Sequence, residues 1–174
     1  MPRRLFPVAA ALLALTAAPA LAEVKSAAPG GFEVGGSVVV AASPTRVWAV
    51  LTAPDAWWSR DHRWFKGSTL SLDLAPGGCW CEQAADGQVS RHLETALVEP
   101  GSKLVLRGGL GPLQGQGATG GLTFEVKAEG EGSLLTWAYI VGGYTPGGLE
   151  AWAAPVDGVL SAQLANLKAR AEAD

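Results

Sequence analysis

From Ser68 onward, apolar and polar residues alternate in one segment after another, and this period of two constrains the chain more than any other feature. Leu70, Leu72 and Leu74 interleave with Thr69, Ser71 and Asp73, and Leu122, Phe124 and Val126 with Thr123, Glu125 and Lys127. In "SLLTWAYIV", Leu135, Trp137, Tyr139 and Val141 share one face. Such segments are half-buried strands, each with one side turned to a core. Gly78 to Gln83, Val89 to Val98 and Lys103 to Arg107 extend the series, separated by "AADG" and "EPGS". Turns of this chemistry join antiparallel neighbours, so the pattern predicts about six consecutive antiparallel strands.

The period becomes helical at both flanks. After a strand over Val34 to Ala42, Ser43-Pro44 starts a short helix, "SPTRVWAVLT", because Ser suits the cap and Pro the first helical position. "DAWWSRDHRWF" is read as a second short helix and an irregular turn. At the C-terminus, Leu149, Trp152, Val156, Leu160, Leu164 and Leu167 recur at helical steps, with a kink or a break into two pieces expected at Pro155. The long amphipathic helix is the element available to cover the apolar face of the sheet, which gives an α+β domain.

The N-terminus has a different character. Residues 1–22 place Arg3 and Arg4 before an apolar run that ends in Ala20-Leu21-Ala22, the arrangement of a cleaved secretory signal peptide. Its removal takes two positive charges and moves the formal net charge from −3 to −5. An acidic chain without a Lys/Arg cluster argues against a nucleic-acid partner. No other stretch is apolar for long enough to span a bilayer, so no stable membrane span is expected after cleavage, and the periplasm is the expected location. Residues 23–31 are read as a flexible lead-in, and 32–174 as one domain.

Several motifs carry a resemblance. "ASPTRVWAVLTAPDAWWS" at 42–59, "PGGCWCE" at 76–82 and "VEPGSKLVLRG" at 98–108 resemble the SRPBCC superfamily of helix-grip folds. That superfamily includes START lipid-binding domains, polyketide cyclases and activators of the heat-shock protein 90 ATPase. Exported bacterial members are the closest likeness, through Gly78 to Glu82, Gly111 to Gln114 and Gly142 to Leu149. The resemblance implies a curved antiparallel sheet wrapped around the C-terminal helix, with a cavity between them that holds a small apolar or amphipathic molecule. It names a container, and the contents have to be argued from the residues.

Seven tryptophans are many for one domain, and indole suits the lining of a cavity for flat or aliphatic molecules. The candidate cavity residues are Trp57, Trp58, Leu106, Leu113, Phe124, Trp137, Tyr139 and Tyr144. The glycine-rich run "GGLGPLQGQGATGG" reads equally as a flap over the cavity or as a kinked hairpin that curves the sheet. Neither a nucleophile elbow nor a phosphate loop is present, and no cofactor is implied. His62, between charged neighbours, reads as surface.

Cys79 and Cys81, the only cysteines, alternate with Trp80 on one strand. With a two-residue turn at Asp86-Gly87, Cys81 faces His92 and Cys79 faces Glu94; a four-residue turn pairs Cys81 with Ser90 and Cys79 with His92. Either even-length turn puts Cys79, Cys81, His92 and Glu94 on one face, and an odd loop or a bulge undoes this. Such a cluster opens an alternative reading, a cyclase- or hydrolase-like enzyme or a metal held by Cys79, Cys81 and His92. Residues two apart on a flat strand lie about 6.8 Å apart, the limit for a bridge. Free thiols, a disulfide and a metal site all stay open. The parity of Trp80, Leu93 and Leu97 favours turning those residues inward and the cysteines outward, while Ala96 and Val98 share the cysteine parity and leave the face open.

Overall fold

The computed structural model describes residues 21–173; the proposed signal peptide lies outside them except for its last two residues. Eight strands form one antiparallel sheet: β1 (Leu21–Ala28), β2 (Gly31–Val40), β3 (Thr69–Leu72), β4 (Cys79–Gln83), β5 (Val89–Glu99), β6 (Lys103–Gly108), β7 (Gly117–Glu129) and β8 (Gly132–Tyr144). Their spatial order is β1-β2-β8-β7-β6-β5-β4-β3. Helix α1 (Pro44–Leu51) follows β2, and α2 (Ala153–Glu172) ends the chain. The sheet curves around α2, whose Leu160, Gln163, Leu164 and Leu167 are buried against it. This is the helix-grip architecture that the resemblance implied, built on the α+β order read from the alternating strands and the terminal helix.

The local chemistry behaves as the residues dictate. Ser43 Oγ accepts from Arg46 N, and Pro44 occupies the first turn of α1, where a missing N–H costs nothing. The Arg46 guanidinium donates to the carbonyls of Arg170, Ala171 and Ala173, satisfying the exposed end of α2 and joining the two helices.

Three expectations are corrected. Residues 23–28, read as lead-in, belong to β1, which pairs with β2 from Leu21↔Ser37 to Ala28↔Gly31. β1 gains its stability from ladder bonds, and its side chains from Glu23 to Ala28 are exposed, so no apolar alternation marks it. The second short helix resolves into two 3₁₀ turns, Pro54–Ala56 and Arg60–His62. Arg63 organises this segment: Nη1 donates to Asp55 Oδ1 (2.6 Å) and Ser68 O (2.8 Å), and Nη2 to Trp58 O (2.9 Å). Finally, the break expected at Pro155 falls just ahead of it: a 3₁₀ turn over Glu150–Trp152 gives way to α2 at Ala153, which places the proline within the first turn.

Candidate functional site

A cavity of about 330 Å³ opens where the segment after α1, the glycine-rich loop and the start of α2 meet. Trp58 forms its inner wall, Leu110 and Pro112 come from the loop, and Val156, Val159 and Leu160 from α2. Asp61, His62, Arg63 and His92 supply its polar groups, and Trp64, 48% exposed, stands at the mouth.

Trp58 is held edge-on against Trp80 at 5.2 Å between ring centroids, and Trp57 packs against both. The Trp58 indole N–H donates to His62 O, which ties the wall to the rim. Gln163 of α2, fully buried, fixes that rim: Oε1 accepts from Ser59 N, so the amide nitrogen faces Nδ1 of His62 at 2.7 Å. Nδ1 is therefore the acceptor, and Nε2 carries the proton as a donor at the mouth. His62 is exposed, as its charged neighbours suggested, and also lines the cavity.

His92 departs from the sequence reading. The β4–β5 hairpin has a three-residue loop, Ala85-Asp86-Gly87, closed by Ala84 N to Gln88 O, with Gly87 at φ +90°. This odd length pairs Cys81 with Arg91, and a bulge at His92 then restores Trp80↔Leu93 and Cys79↔Glu94. Adjacent His92 and Leu93 are both buried as a result, which an unbulged strand does not allow. The predicted face of Cys79, Cys81, His92 and Glu94 is not assembled: Glu94 bonds Arg91 on the outside, and the cysteines are joined to each other. Their Cα atoms are 5.2 Å apart, inside the bridgeable range because the strand is contracted there. No grouping of three metal-ligating side chains occurs among the described residues.

His92 instead meets Glu82, which stands on the parity of Trp80 and is fully buried. Glu82 Oε1 accepts from Ser68 Oγ (2.7 Å) and Phe65 N (2.8 Å); Oε2 accepts from Trp64 N (3.1 Å) and lies 2.9 Å from His92 Nε2. Burial raises the carboxyl pKa, but the donors outweigh it and hold Glu82 below its ordinary value. Desolvation dominates at His92 and depresses its pKa despite the pull of Glu82, so burial favours the neutral imidazole. Its Nδ1 faces the Gln114 amide nitrogen at 3.2 Å, oriented by Ser90 donating to Gln114 Oε1. Glu82 escaped the sequence reading, although its parity with Trp80 marked it as an inward carboxylate.

Of the candidate cavity residues, Trp58 alone lines this cavity. Leu106, Leu113 and Phe124 are fully buried and Trp57 and Trp137 nearly so, all in the close-packed core. Tyr139 is also core, and its hydroxyl donates to Gly108 O (2.8 Å) and accepts from Leu110 N (3.0 Å), anchoring the loop that roofs the cavity. Burial pushes its pKa up to about 12. Tyr144 is 72% exposed, away from the cavity. The glycine-rich run combines both readings: a 3₁₀ turn at Gly111–Gly115 carries loop residues to the site, and Gly117–Gly121 enter β7.

The fold recurs in solved structures at low identity. A Rhizobium leguminosarum protein aligns with TM-score 0.60 and 18% identity over 89% of this chain and 99% of its own. Protein MLL2253 of Mesorhizobium loti gives 0.58 and 18% over 79% and 95%, and CalU16 of Micromonospora echinospora 0.56 and 18% over 87% and 84%. No curated protein matches the chain. The sequence pattern of the family described as polyketide cyclase / dehydrase and lipid transport matches residues 32–172. Since that span takes in α1, α2 and every strand from β3 to β8, the chain belongs to this SRPBCC-type family.

Proposed function

We propose that the protein binds a small amphipathic molecule, its apolar body between Trp58 and the start of α2 and a hydrogen-bond-accepting end at His62. The observation that carries this reading is the composition of the cavity, whose wall is mostly indole, leucine, valine and proline, with Asp61, His62, Arg63 and His92 as its few polar groups. Its volume of about 330 Å³ is at the small end of the usual ligand range, roughly 300–1,000 Å³. That suits a single-chain or fused-ring molecule better than a two-chain lipid. The buried amide of Gln163 holds His62 with its Nε2 proton available, so a carbonyl or carboxylate on the ligand has a preset donor.

Native mass spectrometry of the gently purified protein, repeated after incubation with medium-chain fatty acids and aromatic polyketide-like phenols, tests this. A bound apolar molecule or saturable uptake is expected; protein that is empty and takes up neither class refutes the reading. We also propose that residues 1–22 direct export to the periplasm and are then removed. Support comes from the basic, apolar and small-residue order of that segment. N-terminal sequencing of protein from a periplasmic extract checks it, with Glu23 as the expected first residue.

A further inference from the structure

We propose that the Cys79–Cys81 disulfide is a thiol-exchange site, reduced and re-formed while the domain stays folded. The inference is independent of the ligand-binding reading.

The bond closes a loop with one residue between the cysteines. Cross-links stabilise mainly by removing freedom from the unfolded chain, and the effect shrinks with loop length, so this one contributes little to holding the fold. Other contacts secure β4. It pairs with β3 from Thr69↔Gln83 to Leu72↔Trp80 and with β5 on its other side. Trp80, between the cysteines, is 2% exposed in the cluster with Trp57 and Trp58, and Glu82, just beyond them, has its four hydrogen bonds.

What the bond does change is the strand itself. An extended strand sets residues two apart at about 6.8 Å, whereas these Cα atoms are 5.2 Å apart. The β4–β5 ladder shifts register between Trp80 and Cys81. Reduction releases that contraction into a fuller extension, a local change at the outer face of the sheet. Both cysteines are partly exposed there, within reach of a thiolate.

The charges beside them differ. Cys81 pairs with Arg91 and Cys79 with Glu94, and cross-strand partners share a face. Arg91 and Glu94 also bond each other at 2.8 Å, so the bias lies between the two ends of one ion pair: an incoming thiolate meets the cationic end at Cys81 and the anionic end at Cys79. Attack forms a mixed disulfide with Cys81 and breaks the bond to Cys79, whose thiolate takes a proton from water. The second thiol of a dithiol reductant then loses its proton and attacks the reductant sulfur of the mixed disulfide, expelling the Cys81 thiolate, which is protonated in turn. Two electrons and two protons pass to the cysteines, and the dithiol leaves as its own disulfide.

The test treats the folded full chain with dithiothreitol, without denaturant, and counts thiols by alkylation and mass spectrometry while far-UV circular dichroism follows the fold. Reduction about tenfold faster than that of oxidised glutathione under the same conditions is expected, with an unchanged spectrum. Reduction no faster than oxidised glutathione, or only when urea unfolds the chain, overturns the proposal. With glutathione, a monothiol, rapid quenching is expected to trap the adduct on Cys81, and Arg91→Gln to slow attack about threefold. An adduct on Cys79, or an unchanged R91Q rate, overturns the assignment of Cys81 as the attacked sulfur. The Cys79→Ser/Cys81→Ser chain, with no disulfide, is expected to keep the native spectrum and unfold at a nearly unchanged urea concentration; failure to fold makes the bond structural and removes the proposal.

Discussion

Nε2 of His92 lies 2.9 Å from Oε2 of Glu82, and the two buried groups join β4 to β5 at the cavity that His92 lines. The pair is one corner of a larger arrangement, because the same carboxylate receives Trp64 N, Phe65 N and Ser68 Oγ. Glu82 thus secures the segment that carries Trp64 to the cavity mouth. Replacing it by Ala strands three buried donors and the imidazole, at an expected cost of about 3 kcal/mol in urea unfolding. Faster amide exchange at Phe65 should accompany the loss. Glu82→Gln keeps one acceptor oxygen and should cost less.

Acidification should destabilise the fold in two stages. The folded-state pKa of His92 is depressed below its ordinary 6.5, so the unfolded chain binds its proton first, and stability falls as pH drops below that value. Glu82, depressed below 4.5, contributes stability that is present above that pH and lost as pH falls through its folded-state value. Urea midpoints measured from pH 8 to pH 3 should show both stages. His92→Gln should remove the upper one, and a flat profile in the wild-type chain between pH 7 and pH 5 would contradict the assignment.

Tyr139 holds both ends of the bend between β6 and the cavity loop through Gly108 and Leu110. Tyr139→Phe leaves that carbonyl and amide unpaired, with an expected loss of about 1–3 kcal/mol. Hydrogen exchange at Leu110 reports the freed loop directly. In the wild-type protein, ultraviolet titration should find one phenol ionising only near pH 12.

Gly120 marks a close approach between β7 and β8. A Cβ there would stand 2.6 Å from Tyr139 Cε2 and 2.7 Å from Ile140 O, so Gly120→Ala must displace backbone as well as ring. The expected cost is about 1–3 kcal/mol, read from thermal or urea unfolding. Gly121, with open space at the same position, should tolerate alanine far better.

Val159 lines the cavity from α2 and is partly exposed, so a larger side chain there grows into the opening. Val159→Trp should abolish uptake of an apolar probe while leaving the circular dichroism spectrum unchanged. His62→Ala should weaken a fatty acid about tenfold through loss of one hydrogen bond to a charged group, and barely affect a hydrocarbon of similar length.

The sequence by itself determined the order of the main elements from β2 onward and the α+β class, because periods of two and of about three and a half are local properties of burial, and its family motifs implied the helix-grip architecture. Trp80 and Leu93 point inward, a face that the alternation alone left open. Tertiary structure decided the rest of that hairpin. One residue in the turn and one bulged residue cancel over the length of the strand, so they leave Cys79 facing Glu94 while moving His92 from the cysteine face to Glu82. Neither is visible in the apolar alternation, since each depends on which backbone groups pair across strands. The cavity was out of reach for the same reason: it is bounded by Trp58, Leu110 and Val156, from two irregular segments and a helix start brought together by folding. The inward residues of the alternating strands, Phe124 and Trp137 among them, belong to the buried hydrophobic core and are not among the residues lining this cavity.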